Sequence, residues 1–367
     1  MGEWDSDDIF NIQSKVAENV ATNMEVEITS SEIEAIQKNP TTNLEAYRLY
    51  LQGQFYVLKS GLTNTETAIT MFEKAISLDP DFALAYAALA RTYVLNLEQD
   101  PNPELDEKAY VAFQQALTID PDLAEAYVAK ANWYWTASNN FNHENAIIAA
   151  TKAIELKPGL STGYEILALA QVHVGLHEQA LINSSRGLEI EPTNMWLRHY
   201  QVDVYLSKGD YSETLKRLEN IEEFIPHLRL SFTAQALFFM GDTLGAEKVV
   251  KNGLLEYPDE AQLNSTYAII LASQGRYGEA NERLALAIKN EKSIRDIHHL
   301  HHNVARVFTI MGKNDEAVIW LIKAAETGLP DYPLYNNDPI LTKLKGDPEF
   351  DAFMADMKVE LEYYKSL

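Results

Sequence analysis

The chain has 367 residues, 46% hydrophobic and 10% aromatic, which excludes a disordered tail and exceeds the usual size of a single-core domain. Thirty basic against fifty-four acidic residues leave a net charge of −24, which repels phosphate backbones, speaks against direct nucleic-acid binding and favours basic or apolar partners. Zero cysteines remove disulfides, thiolate zinc sites and cysteine nucleophiles together; no apolar run approaches the roughly 20 residues that span a bilayer, and no signal-peptide core stands at the N-terminus, so the reading is a soluble domain, cytoplasmic or periplasmic.

Ile9, Ile12, Val16 and Val20 are spaced as one face of a lead-in helix over 8–24. Thr29 with Glu32, or Ser31 with Glu34, offers a capping box for a short helix that Asn39-Pro40 ends. Beyond that point Pro80, Pro121, Pro158, Pro192, Pro226 and Pro258 recur at intervals of 41, 37, 34, 34 and 32 residues, each read as closing a stretch of two helices. Ala68, Phe72 and Ala75 precede Pro80 by the same distances at which Ala109, Phe113 and Ala116 precede Pro121. The spacing predicts Phe72 and Phe113 as buried between neighbouring helices, with alanine and glycine making the grooves that aromatics fill.

The first pair starts near Leu44, with Tyr47, Tyr50, Gly53 and Tyr56 on its first helix and an elongated turn from Lys59 to Asn64. The second carries Tyr86, Leu89, Ala90 and Tyr93, then a long turn with Pro101 and Pro103; the third has Tyr127, Ala131, Tyr134, Ala146 and Ala153. Tyr164, Leu167, Ala168, Gly175 and Ala180 mark a regular fourth pair. More worn copies follow around Gly209 and Leu218, Gly241 and Ala246, Gly275 and Ala287, and Gly312 and Ala324. After Pro330 the pattern changes: Asp338-Pro339 and Asp347-Pro348 read as N-caps followed by a helix-opening proline, Gly346 as a C-cap, and Phe350, Phe353, Met354 and Met357 as the apolar stripe of a last helix. The organisation expected is a lead-in at 1–40, an array at 41–330 and a helical cap at 331–367.

Over 44–329 these copies resemble the tetratricopeptide (TPR) repeat family, which implies an all-α solenoid, a right-handed superhelix of about eight helix pairs. The flanks resemble something narrower. Asp8-Ile9-Phe10-Asn11-Ile12-Gln13 with Val16-Ala17, Glu45-Ala46-Tyr47 with Tyr50-Leu51-Gln52-Gly53, and Asp347-Pro348-Glu349-Phe350 with Phe353 are similar to signatures of bacterial multidomain signalling proteins. In that group the repeats follow a nucleotide cyclase, a protein kinase or a winged-helix domain. The Met1-Gly2 start is accordingly read as a cut before the array.

Gly159-Leu160-Ser161-Thr162-Gly163 fits the nucleophile-elbow pattern G-x-S-x-G, but it follows Pro158 between two helices where that chemistry needs a strand-to-helix turn, so it reads as a repeat junction. His298-His299-Leu300-His301-His302 places His298 and His302 four residues apart, a spacing that holds zinc or nickel on a helix; the competing reading puts His301 in packing and His299 and His302 toward the groove. The resemblance implies a concave face built from the first helices, on which Tyr47, Tyr50, Gln54, Arg91, Glu125, Asn132, Trp135, Glu165, Trp196, His199, Asp203, His299, His302 and Arg306 line the groove. Tryptophan, tyrosine and arginine concentrate binding energy at interfaces, so Trp135 and Trp196 are the expected solvent-facing anchors. Asn132 stands where carboxylate-clamping repeats keep an asparagine, but Val128 and Glu165 replace the lysines that such a clamp requires. The function expected is a protein-interaction scaffold that is not itself an enzyme and carries no cofactor or committed metal, binding a peptide or protein in its groove as the sensory or regulatory part of a signalling or transcription-regulating protein. The alternative is a small-molecule or metal sensor that uses the aromatic groove or the His298–His302 cluster.

Overall fold

The protein is described from a computed structural model, which covers residues 39–59, 62–97, 102–221, 225–291 and 297–367. Among the described residues there are eighteen α-helices and no strand. The lead-in helix and capping boxes expected before residue 39 lie outside them.

Helices pair in chain order: α1 (Leu44–Leu58) with α2 (Leu62–Leu78), α3 (Ala83–Leu97) with α4 (Pro103–Ile119), α5 (Ala124–Tyr134) with α6 (His143–Leu156), and α7 (Ser161–His173) with α8 (His177–Ile190). Then come α9 (Met195–Ser207) with α10 (Tyr211–Glu219), α11 (Pro226–Phe239) with α12 (Thr243–Glu256), α13 (Ala261–Ser273) with α14 (Tyr277–Lys289), and α15 (Ile297–Ile310) with α16 (Asn314–Glu326). Two helices close the chain, α17 (Tyr332–Asn337) and α18 (Pro348–Lys365), with a 3-10 turn at Leu341–Leu344 between them. The chain divides into two compact units, 1–133 and 134–367, so the division falls inside the third pair.

The pairs are set by small residues at seven-residue spacing on the second helices. Ala68 and Ala75, Ala109 and Ala116, Ala146 and Ala153, Ala280 and Ala287, and Ala317 and Ala324 are all fully buried. A β-carbon on Gly187 of α8 would stand 2.6 Å from Leu197, and one on Gly53 of α1 2.5 Å from Phe72, so glycine serves where helices approach closest. Phe72 and Phe113 are buried as their spacing predicts.

Turn chemistry supplies the punctuation. In the Asp79-Pro80-Asp81 and Asp120-Pro121-Asp122 junctions the first carboxylate accepts the backbone N–H two residues on, at 3.1 and 3.2 Å. Pro226 departs from the expected rule: it opens α11 at the first turn, where its missing N–H costs nothing. The turn at 59–64 is also shorter than expected, since α2 starts at Leu62. The first helices of pairs four to eight end on Gly175, Gly209, Gly241, Gly275 and Gly312, all at φ between 74° and 89°.

The C-terminal segment caps the stack. Phe350, Phe353, Met357, Leu344 and Tyr335 pack on Val318 and Leu321 of α16 in one apolar cluster. Asp347 accepts the Glu349 and Phe350 N–H groups at 3.1 and 3.3 Å, capping α18 ahead of Pro348 as the sequence indicates. Gly346 sits at φ 93°. Within unit 2 the cap also reaches back to the fourth pair, where Asp331 Oδ2 lies 2.8 Å from His177 Nε2.

Gly275 and Gly278 isolate the conformational term, because a β-carbon at either meets nothing within 4 Å and only Gly275 has positive φ. Gly275→Ala should lower the stability of unit 2 by about 1–2 kcal/mol, whereas Gly278→Ala should leave it unchanged or raise it by a few tenths. Urea unfolding of the two variants measures this; equal effects would show that φ at 275 does not matter.

Candidate functional site

In unit 1 the predicted groove residues form one half-open face. Tyr47 and Tyr50 stack with centroids 6.1 Å apart, and Tyr50 rests on Phe82 at 5.3 Å and Phe72 at 5.9 Å. Gln54 donates to the Tyr50 hydroxyl at 3.0 Å. Burial first, and then the negative charge of Glu125, push the Tyr50 phenol up to about 12, although the Gln54 bond works against them. Glu125 belongs to α5 and Tyr50 to α1, so this face spans three consecutive first helices. Tyr47, Tyr50, Gln54, Arg91, Glu125 and Asn132 are all partly exposed. The Asn132 amide donates to the Val128 carbonyl one turn back, at 2.8 Å, a further departure from a carboxylate clamp.

In unit 2 the equivalent positions are largely covered by the chain itself. Trp135 is only 4% exposed, which corrects the expectation of a solvent-facing anchor. Its ring packs on Phe141 at 5.4 Å, His173 at 4.9 Å and His298 at 6.3 Å. Phe141 holds φ 48°, a strained conformation for an aromatic residue, with its ring against Gly328, where any β-carbon would approach to 2.8 Å. Glu165 accepts from the Asn194 amide at 2.8 Å and thus supports the N-cap of α9.

Trp196, His199, Asp203, His299, His302 and Arg306 lie along two adjoining clefts. Trp196, His199, Asp203 and His299 line a narrow cleft with Leu169 and His173. A second cleft shares Asp203 and His299 with it and continues along His302, Asn303, Arg306 and Gln235. His199 Nε2 stands 3.2 Å from Asp203, both buried, and the ring stacks on Phe232 at 5.4 Å. Arg306 donates to Asp338 at 2.6 Å, Gln235 at 3.0 Å and Asn303 at 3.1 Å, and its guanidinium lies over Phe239. His302 meets the same Asp338 oxygen at 3.0 Å. Burial would raise the Asp338 carboxyl, but the Arg306 charge and the His302 and Arg306 hydrogen bonds together hold it well below the usual range.

The histidine run divides differently from the i,i+4 pair considered above. His302 turns to Asp338, and His301 packs on Trp320 at 5.3 Å with Nδ1 3.0 Å from the Thr327 hydroxyl. His298 instead faces His173 of α7, with ring centroids 4.7 Å apart. Sequence reading missed His173, Asp338 as a charge partner, and Gln235; the available signal was that all nine histidines fall between 143 and 302. Ser161 begins α7 after a helix, and its hydroxyl donates to Glu191 at 2.6 Å, as suits a repeat junction.

Residues 49–82 match the tetratricopeptide repeat family model. That span has the length of one repeat and runs from within α1, through α2, to the turn before α3. The fold is a tetratricopeptide-repeat α-solenoid. Among solved structures, human IFIT1, determined as a dimer with PPP-AAAA, is 16% identical with a TM-score of 0.52, covering 84% of this chain and 76% of that one. A tetratricopeptide repeat protein from Parabacteroides merdae is 16% identical with a TM-score of 0.48, covering 70% and 98%. A thermophilic repeat protein from Thermus thermophilus is 22% identical with a TM-score of 0.43, covering 52% and 99%. The curated proteins contain no match to this chain.

Two predictions follow from the burial in unit 2. Trp135→Ala should cost about 3–5 kcal/mol of stability, the range for a core aromatic, as read by chemical denaturation. The second concerns pH. Burial, as the leading cause, lowers His143 to about 3 and His301 and His302 to about 4, and holds His298 and His299 well below the usual range. In the unfolded chain each ring takes up a proton near pH 6.5, so stability is fully present above about pH 6.5 and lost as pH falls toward the folded values. Each ring contributes up to about 1.4 kcal/mol per pH unit in that window. Unit 1, which holds no histidine, lacks this term. Hydrogen exchange from pH 7 to 5 should show unit 2 loosening well before unit 1; parallel loss in both units would contradict the assignment.

Proposed function

We propose that the chain is a protein-interaction scaffold, the sensory or regulatory repeat region of a bacterial signalling or transcription-regulating protein, which binds a peptide or protein partner on its first-helix faces. Helix-pair arrays present extended concave binding surfaces. The observation that carries the reading is the unit 1 face, where Tyr47, Tyr50, Gln54, Arg91, Glu125 and Asn132 stay partly exposed while Ala46, Phe72, Phe82 and Ala90 are buried. Aromatic and arginine side chains held on rigid helices lose little conformational entropy on binding, which is what makes such residues interface anchors. The net charge of −24 favours a basic or apolar partner. The signalling context rests on the flanking resemblance, of which the 8–17 segment lies outside the described residues. No membrane-crossing helix, long and apolar enough to span a bilayer, is found among the described residues. A second reading, a metal or small-molecule sensor, draws on a different observation, the buried histidine cluster of unit 2.

The scaffold reading is tested by selecting peptides from a displayed random library on the purified chain and measuring the selected peptide by calorimetry. Tyr47→Ala and Glu125→Lys should each weaken binding of a basic peptide, by up to roughly thirtyfold for an anchor, with helicity unchanged. If both variants bind as tightly as the parent, the unit 1 face is not the working surface.

A further inference from the structure

Three histidines of unit 2, His173 on α7 and His298 and His299 on α15, bring one ring nitrogen each to within 4.8 Å of one another. The ring centroids lie 4.7, 4.8 and 5.6 Å apart. His173 and His298 are buried, and His299 is the member that reaches the two clefts.

The hydrogen bonds behind these rings fix which nitrogen faces the cluster. His173 Nδ1 lies 2.8 Å from the Leu169 carbonyl, and His298 Nδ1 lies 2.9 Å from the Thr327 carbonyl. A carbonyl oxygen can only accept, so Nδ1 is the protonated nitrogen in each ring and donates. In a neutral imidazole this leaves Nε2 as a lone pair. His298 is the most buried of the three rings. It is 0% exposed, and its Nε2 makes no hydrogen bond among the described residues. Packing alone gives no reason to bury an unsatisfied imidazole acceptor against two more imidazoles. An outer Nδ1–H bond to a backbone carbonyl is the arrangement that orients a histidine for a metal ion.

We propose that His173, His298 and His299 form a binding site for a divalent transition-metal ion, zinc before nickel or copper. Three imidazoles without a carboxylate or thiolate suit borderline ions and disfavour magnesium and calcium. Tetrahedral coordination at about 2.0–2.1 Å requires the three nitrogens to draw in to roughly 3.3 Å of one another, a movement of side chains only. The cleft side of His299 is the entry path and leaves a fourth position for water or a partner's side chain. Because α7 and α15 are separated by more than a hundred residues, an ion held between them ties the fourth pair to the eighth.

The test uses the untagged full chain, stripped with a chelator and titrated with zinc chloride by calorimetry at neutral pH. One equivalent should bind with micromolar or tighter affinity and raise the melting temperature of unit 2. His173→Gln and His299→Ala should each weaken binding at least tenfold, whereas His227→Ala, on the half-buried histidine outside the cluster, should not. Should either cluster variant fail to fold, cobalt(II) added to the parent should give the visible ligand-field bands of a tetrahedral nitrogen site. The proposal is overturned by the absence of stoichiometric zinc binding, by binding that survives both cluster variants, or by featureless cobalt spectra. None of these outcomes bears on peptide binding at the unit 1 face.

Discussion

Asp338 is the constraint on which the floor of unit 2 depends. The carboxylate is fully removed from water, a position it holds only because Arg306 at 2.6 Å and His302 at 3.0 Å supply charge and hydrogen bonds. Its other oxygen accepts the Ile340 N–H at 2.8 Å and so starts the 3-10 turn that leads into the cap. One side chain thus joins α15 to the C-terminal segment and, through Arg306 and Gln235, to α11. Removing one partner of such a buried pair typically costs about 3–5 kcal/mol, far more than the pair contributes relative to an apolar replacement.

The helix pairs were legible because their cause is local. Alanine at seven-residue spacing, Phe72 and Phe113 between neighbours, and Asp-Pro junctions are properties of a single repeat, and each repeat packs mainly on the next. Pro226 misled for a local reason too, since a proline is tolerated equally just after one helix and at the first turn of the next. Asp338 could be read as an N-cap from its following proline, but its pairing with Arg306 could not, because the two are brought together by closure of unit 2. The same holds for His173. Nothing in α7 distinguishes it from a core histidine until α15 is placed opposite.

Equivalent repeat positions therefore meet different fates. On α1, α3 and α5 Tyr47, Tyr50, Gln54, Arg91, Glu125 and Asn132 stay partly exposed, and Tyr50 rests on Phe72 and Phe82. In unit 2 the 3-10 turn after Trp135, with Phe141 at positive φ, turns that tryptophan inward to meet His173 and His298. Backbone strain of this kind persists only where surrounding contacts over-determine it. Here the contacts come from Gly328 and His298, both supplied from the far end of the unit. The eighth pair and the cap are thus part of the packing environment of α6, α7 and α8.

This difference decides where a partner can bind at low cost. In unit 2 the polar side chains along the larger cleft already have partners: Arg306 with Asp338, Gln235 and Asn303, and Asn303 with Ser265 at 3.1 Å. A peptide inserted there must break a satisfied buried network, and each group left unpaired costs about 1–3 kcal/mol, more for a charged one. A ligand small enough to sit among the imidazoles breaks none of those bonds. On the unit 1 face Tyr47, Arg91 and Glu125 keep part of their surface in water, which a partner can cover without entering a buried interior. An open unit 1 face and a self-filled unit 2 are the physical grounds for the proposal that macromolecular recognition belongs to the first and small, directional ligation to the second.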